Sequence, residues 1–220
     1  ASSSKDSTIK IWDASSGLEI LTIKGHNGNV NDLDWSPNGS KIVSCSGDST
    51  IKIWDLSTGS LIQTFTHQSS KVYSVDWKYD GSQIATGDEN GNIKIWDASS
   101  GSLNQTITDD YGSIKDISWN PGGNEIAVNF YSGKLSVWNL KNEKEKTYIN
   151  GHRYFIKKLS WSPDGKKIVS CDFYSDIKIW DVDSGKEVFK PTIDHNFAVN
   201  CVDWSPNGEK IASCDGMIEY

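Results

Sequence analysis

Residues 25–55 read GHNGNVNDLDWSPNGSKIVSCSGDSTIKIWD. The segment Val30-Asn-Asp-Leu-Asp-Trp35 places apolar side chains at i, i+3 and i+5. Strict alternation would put them at even spacing, so the extra residue after Val30 predicts a β-bulge early in a strand. Ser36-Pro-Asn-Gly39 follows, where Pro presets φ and Gly supplies the positive φ that closes a hairpin. A second strand (Lys41-Ile-Val-Ser-Cys45), a short polar turn and a third strand (Thr50-Ile-Lys-Ile-Trp-Asp55) complete the stretch. Ile51 and Ile53 share one face of the third strand and Trp54 takes the other. A sheet that is apolar on both faces must be covered on both.

The same pattern returns along the chain. The first strand recurs as Val72 to Trp77, Ile114 to Trp119, Ile156 to Trp161 and Val199 to Trp204. The turn recurs as Ser162-Pro-Asp-Gly165 and Ser205-Pro-Asn-Gly208, with weaker copies at Lys78-Tyr-Asp-Gly81 and Asn120-Pro-Gly-Gly123. All ten tryptophans obey the period: Trp12, Trp54, Trp96, Trp138 and Trp180 stand 42 residues apart, and Trp35, Trp77, Trp119, Trp161 and Trp204 follow steps of 42, 42, 42 and 43. One unit of about 42 residues is therefore stacked about five times. A fourth strand (Leu61 to Phe65, Leu103 to Ile107) completes each unit. Four short antiparallel strands per unit, without helical periodicity, predict an all-β propeller. The approximate units are 1–24 (partial), 25–66, 67–108, 109–150, 151–193 and 194–220, the last partial and complementary to 1–24.

Gly25-His26, Asp48 and Trp54-Asp55, joined by Val30 to Trp35, Ser36-Pro-Asn-Gly39 and Ile42-Val-Ser44, reproduce a known repeat in order and spacing. Over nearly its whole length the chain resembles the WD-repeat β-propeller family. Trp12-Asp13, Trp96-Asp97 and Trp180-Asp181 keep the signature dipeptide, whereas Trp138-Asn139 departs from it. Seven such units need roughly 294 residues, and propellers span about 4 to 8 blades. Either the two partial units close a five-bladed ring, or residues 1–220 are a segment of a larger, typically seven-bladed propeller completed by further blades from the same or another chain. A start without Met and an end short of the next expected Trp favour the segment.

All four histidines, His26, His67, His152 and His195, sit at one repeat position, each followed by a second-strand hydroxyl: Ser44, Thr86, Ser170 and Ser213. Read alone, His, Ser and Asp recurring together suggest a hydrolytic triad. A catalytic site is needed once, however, and this set recurs every 42 residues or so. The resemblance implies instead a buried hydrogen-bond network in each blade, formed by His26, Ser44, Asp48 and Trp54 in the first full unit. The second unit offers His67, Thr86, Asn90 and Trp96, the fourth His152, Ser170 and Trp180 with Tyr174 at the Asp position, and the last His195 and Ser213. In the third unit the positions fall on Asp109 or Asp110, Val128 and Ser132, and the network cannot form.

The resemblance also implies partner binding on the top face, through residues flanking the first apolar position of each unit and the residue before the network Asp. Those positions bring Lys71, Tyr73 and Glu89, then Lys115 and Tyr131, then Phe155, Lys157 and Phe173 to the middle three units. Aromatics beside cations are the usual material of interface hot spots. The expected partner is another protein, presenting an acidic or phosphorylated peptide to Lys71, Lys115 and Lys157. The competing expectation is that Tyr131 and Phe173 cover the weakened networks of their own units.

Composition limits the remaining classes. Hydrophobic residues at 36% and a formal charge of -7 describe a globular chain that is neither disordered nor basic enough to favour nucleic acid. No apolar run approaches the roughly 18 residues of a membrane span. The four cysteines show no CxxC pairing and no nearby His at zinc spacing, so neither metal nor cofactor is expected. Cys45, Cys171 and Cys214 share one strand position and are expected to be packing groups, free thiols of a reducing, cytoplasmic compartment rather than disulfides. A non-enzymatic scaffold within a multiprotein complex follows as the leading function. A sensor propeller of a larger multidomain protein, or an enzyme or small-ligand binder using the central channel, are the rivals.

Overall fold

Antiparallel hairpins build the whole of the described chain. The computed structural model describes residues 1–66, 70–108, 110–142, 144–149, 151–189, 195 and 197–216, divided into two units, Ala1–Thr108 and Asp109–Tyr220. In the first unit, β1 (Ser2–Ser3), β2 (Thr8–Trp12) and β3 (Glu19–Lys24) form a three-stranded sheet. A four-stranded sheet follows from β4 (Val30–Trp35), β5 (Lys41–Ser46), β6 (Thr50–Asp55) and β7 (Leu61–Thr66). Another comprises β8 (Val72–Trp77), β9 (Gln83–Asp88), β10 (Asn92–Asp97) and β11 (Leu103–Thr108). The second unit holds β12 (Ile114–Trp119), β13 (Glu125–Phe130), β14 (Leu135–Asn139) and β15 (Lys144–Ile149), then β16 (Ile156–Trp161), β17 (Lys167–Asp172), β18 (Ile177–Asp181) and β19 (Glu187–Phe189). A two-stranded sheet of β20 (Val199–Trp204) and β21 (Ile211–Asp215) ends it. Among the described residues there are six sheets, of which four have the four antiparallel strands of a WD-repeat propeller blade.

The bulge read from the apolar spacing is present in every copy of the first strand. The register shifts between Val30 and Asp32, Val72 and Ser74, Ile114 and Asp116, Ile156 and Lys158, and Val199 and Cys201. The residues lifted out of the ladder are Asn31, Tyr73, Lys115, Lys157 and Asn200. The hairpin glycines adopt the expected left-handed backbone, with Gly39 at φ 69° and Gly165 at φ 68°. A second set of shifts, not visible in the sequence, precedes each third-strand Trp, as between Ile53 and Trp54.

Core formation explains why the third strand is apolar on both faces. Val43, Cys45, Ile51, Ile53 and Phe65 of one sheet pack against Val72, Val75, Trp77 and Ile84 of the next. The opposite face, with Val30, Ile42 and Trp54, meets Ile9, Ile11 and Ile23 of the preceding sheet. In the second unit Ala127, Leu135 and Val137 meet Ile156, Leu159 and Trp161, and Val169, Cys171 and Ile179 meet Val199 and Val202. Each fully buried Ile or Val contributes about 1.5–3 kcal/mol. Cys45 and Cys171 are packing groups in these contacts, but Cys214 is exposed.

Polar ties across the same contacts set the alignment of neighbouring first strands. Asp32 Oδ2 accepts from Ser74 Oγ at 2.7 Å and from the Val75 N–H at 3.2 Å, and Asp34 accepts from the Trp77 N–H at 2.8 Å. In the second unit Asp116 accepts from Lys158 Nζ at 2.8 Å and the Leu159 N–H at 2.9 Å. Asn129 departs from this pattern. Asn129 shares the strand position of Cys45 and Cys171, is fully buried, and neither its Oδ1 nor its Nδ2 has a hydrogen-bond partner among the described residues. Asn129→Cys should therefore stabilise the protein by ~1–3 kcal/mol, the cost of an unsatisfied buried amide. Urea denaturation checks this, and an unchanged or lower midpoint would overturn the assignment.

Candidate functional site

Two clusters carry the polar and aromatic residues singled out by the sequence. The first is the hydrogen-bond chain inside each sheet. Trp54 Nε1–H donates to Ser44 Oγ at 2.8 Å, and Ser44 Oγ lies 2.7 Å from His26 Nε2. His26 Nδ1 is 3.1 Å from Asp48 Oδ2. With Ser44 accepting from Trp54, its hydroxyl donates to Nε2, which leaves Nδ1–H for Asp48 and fixes one neutral tautomer. Burial pushes the His26 imidazole below its usual value, outweighing the pull of Asp48. Burial alone would raise Asp48, but Thr50 Oγ1–H and the N–H groups of Asn27 and Thr50 hold its carboxyl at about 2.

The chain recurs with substitutions. In the fifth sheet Trp180 Nε1–H donates to Ser170 Oγ at 2.7 Å and Ser170 lies 2.7 Å from His152 Nε2. Here the carboxylate is Asp172, 3.2 Å from His152 Nδ1, and not residue Tyr174. In the third sheet Asp88 likewise replaces the expected Asn90: it accepts from Ser70 Oγ at 2.6 Å, while Asn90 enters through its backbone N–H at 3.0 Å. The reason is local. A carboxylate on the last residue of the second strand caps the N–H groups two and four residues on, as Asp172 caps Tyr174 and Asp176, so it holds the same turn from its other end. Trp96 Nε1–H reaches Thr86 Oγ1 at 2.9 Å, whereas His67 lies outside the described residues. His195 Nε2 is 2.7 Å from Ser213 Oγ, with Asp215 at 3.4 Å from Nδ1. Trp12 and Ser2 repeat the Trp-to-hydroxyl bond at 2.9 Å.

The fourth sheet has no such chain among its described residues. Asp109 lies outside the described residues, Asp110 is exposed, and Val128 stands at the hydroxyl position, so Trp138 Nε1–H turns to Ser136 at 3.2 Å. Aromatic packing takes the vacated space: Tyr111 meets Phe130 edge-on at 5.5 Å and Tyr148 at 5.3 Å, with Lys134 Nζ 4.0 Å over the Tyr111 ring. Tyr111 was not singled out by the sequence; its signal was that Tyr, Phe and Lys replace polar residues of one repeat together.

The second cluster lies where the first strand begins and the second ends. In each sheet the residue after the second strand donates its N–H to the carbonyl before the first: Glu89 to Lys71 at 3.0 Å, Tyr131 to Ser113 at 2.8 Å and Phe173 to Phe155 at 3.3 Å. The bulge sets the intervening residue beside them. Lys71 is paired with Glu89 at 3.7 Å, with Tyr73 half-buried on the neighbouring bulge. In the second unit the rings join across two sheets. Tyr131 stacks on Phe155 at 5.2 Å and 9°, Phe155 meets Phe173 at 5.0 Å, and Tyr154 meets Tyr174 at 3.9 Å. Phe173 touches Tyr174 edge-on at 5.3 Å, which joins the pairs. Lys115 Nζ lies 5.1 Å over Tyr131 and Lys157 Nζ 5.2 Å over Phe173. Burial pulls the Lys157 ammonium below its usual value. Tyr131 is 59% exposed and Tyr174 61%, so Tyr131 does not serve as cover for the fourth sheet's missing network; Tyr111 does.

Comparison with known proteins adds two family matches. The model described as WD domain, G-beta repeat, matches residues 17–55 and 59–97, and the model described as Eukaryotic translation initiation factor eIF2A matches residues 97–218. Coronin-7 of Rattus norvegicus is 46% identical over 44 residues, covering 20% of this chain and 5% of that protein. Nuclear distribution protein PAC1 of Mycosarcoma maydis is 46% identical over 44 residues, 20% of this chain and 10% of that protein. Ribosome assembly protein 4 of Chaetomium thermophilum is 49% identical over 39 residues, 18% of this chain and 8% of that protein. The matched segment thus spans at most 10% of any of these relatives.

Ser44→Ala leaves Trp54 Nε1 and His26 Nε2 unpaired in the core and should cost ~1–3 kcal/mol, whereas Asp110→Ala should stay within ~0.5 kcal/mol; equal losses in thermal unfolding would refute the network. The pH dependence has a definite sign. Folded His26 takes its proton at lower pH than the unfolded chain, so the unfolded state binds more protons and stability falls as pH drops below about 6.5. The stability advantage of the native protein over His26→Asn should therefore narrow between about pH 7.5 and 5.5, and a constant difference would show that the imidazole is not held neutral.

Proposed function

Because the chain belongs to the WD-repeat β-propeller proteins, with residues 97–218 in the family described as eukaryotic translation initiation factor eIF2A, we propose that it is a non-enzymatic scaffold that docks an acidic peptide segment of a partner protein. WD-repeat proteins mediate protein–protein interactions. The observation that carries the finer reading is the aromatic run Tyr131, Phe155, Phe173, Tyr174 and Tyr154, flanked by Lys115, Lys157 and Arg153. Rigid exposed rings supply contact area at low entropic cost, and the cations supply sign selectivity toward carboxylate or phosphate. Lys71, Tyr73 and Glu89 hold the same repeat positions in the first unit, where Lys71 is paired with Glu89.

The geometry of Ser44, His26 and Asp48 supports the scaffold over a hydrolase. Ser44 is fully buried, its oxygen accepts from Trp54, and the arrangement is duplicated at Ser170, His152 and Asp172. A nucleophile needs a lone pair directed at substrate. The setting proposed is an intracellular, cytoplasmic multiprotein complex; no helix of the described residues is long and apolar enough to cross a membrane. The eIF2A match favours a second reading, in which that complex belongs to translation initiation, and co-sedimentation of the chain with ribosomal subunits tests it.

An array of acidic peptides, each with and without phosphoserine, tests the first. The native chain should capture a subset, and the Lys71→Glu, Lys115→Glu, Lys157→Glu variant should bind these at least about tenfold more weakly, a loss of roughly 1.4 kcal/mol. Unchanged capture would count against the surface, and a strict need for phosphate would narrow the ligand to phosphopeptides.

A further inference from the structure

Phe155 is the aromatic exception at its repeat position. The other units hold Asn29, Lys71, Ser113 and Ala198 there, so the fold does not call for a ring. Phe155 is nonetheless half-buried between two others, with Tyr131 stacked on it at 5.2 Å and Phe173 meeting it at 5.0 Å. The cations stand at the two outer rings of this trio. Lys115 Nζ lies 5.1 Å from the centre of the Tyr131 ring and Lys157 Nζ 5.2 Å from that of Phe173, whereas Phe155 between them meets rings on both sides. An aromatic face carries negative potential, so it repels a carboxylate, while an apolar side chain gains by covering it. Along its length the surface is therefore cationic, then apolar, then cationic.

We propose that this surface binds an extended peptide in which one apolar residue stands between two acidic ones, in the order acid-x-apolar-x-acid, with the apolar side chain over Phe155 and the carboxylates toward Lys115 and Lys157. Such a ligand presupposes the acidic-peptide docking proposed for this surface and adds a central residue and a spacing. In an extended segment alternate side chains face one side, ~6.7 Å apart. That interval suits ring steps of 5.2 and 5.0 Å with an ammonium beyond each outer ring. Lys115 and Lys157 are both bulge residues, freed from the alternation of their strands. Lys157 is steadied by Asn200, a neutral acceptor that does not cancel its charge, and Asp116 on the neighbouring strand is engaged by Lys158 instead. A wholly acidic segment would set a carboxylate against the Phe155 face. A wholly apolar one would cover two ammonium groups without a counter-charge, so both should bind more weakly than the mixed sequence.

The whole chain is used to select from a phage-displayed library of random nine-residue peptides, and the selected sequences are synthesised with the apolar residue kept or replaced by glycine. The acid-x-apolar-x-acid order should be enriched, and the glycine replacement should weaken binding at least about tenfold in fluorescence anisotropy. Phe155→Ser, which copies the neighbouring unit's Ser113, should abolish the preference for the apolar residue. Phe155→Leu should keep it, which separates loss of the ring from loss of folding, and Lys157→Glu should weaken both peptides while leaving the preference in place. Acidic peptides that tolerate glycine, or a preference that survives Phe155→Ser, would overturn this ligand class while leaving acidic-peptide docking intact. Recovery of no acidic peptide would overturn both.

Discussion

A four-stranded sheet with apolar side chains on both faces is stable only between two others, and this one constraint organises the molecule. The face made by Val43, Cys45, Ile51 and Ile53 is completed by Val72 and Val75 of the following sheet, and the opposite face by Ile9 and Ile11 of the preceding one. Neither face is a core by itself. Stability in such a stack is carried by nearest-neighbour contacts, which is why the repeat conserves size at the interface more closely than polarity at the rim. Cys45 and Cys171 fit that interface as small apolar groups; Asn129 fits by volume but not by hydrogen bonding.

Apolar burial alone leaves the turns and strand ends undefined, and the polar chain from Trp through Ser and His to Asp supplies that definition. Each link satisfies a buried donor or acceptor that the fold has already removed from water. Replacing the whole chain by apolar contacts is tolerated, as Tyr111, Phe130 and Val128 show in the fourth sheet; removing one member is not. The signature Asp after each third-strand Trp has a different task. Asp13, Asp55 and Asp97 accept from residues two and three positions on and hold the following turn, and Asn139 keeps an acceptor for Lys141.

Much of this is legible in sequence because it is periodic. The tryptophan lattice specifies the unit, the i, i+3, i+5 spacing specifies the bulge, and the Ser-Pro-Asn-Gly turns specify positive φ at Gly39. What escapes is whatever depends on two partners changing together. Asp172 replaces an aspartate that alignment seeks at Tyr174, since either end of one turn can present a carboxylate to the imidazole. Ties between sheets, such as Asp32 to Ser74 or Asp116 to Lys158, join residues 42 apart and leave no trace within a single repeat.

The bulge links architecture to recognition. An ordinary ladder residue points its side chain into the contact between sheets, where size and polarity are constrained. The extra residue is freed from that alternation, so Asn31, Tyr73, Lys115, Lys157 and Asn200 differ in chemistry while their apolar neighbours Val30, Val72, Ile114, Ile156 and Val199 do not. The backbone bond from the end of the second strand fixes a further variable position beside each, and the rings of Tyr131, Phe155 and Phe173 meet there because their backbones are held in place. Gly133 serves the same end: a Cβ there would lie 2.6 Å from the Tyr154 carbonyl oxygen, so the fourth and fifth sheets approach closely where the aromatic run crosses between them. Sequence variation in such a repeat is therefore admitted at the positions where it can alter binding without disturbing the core.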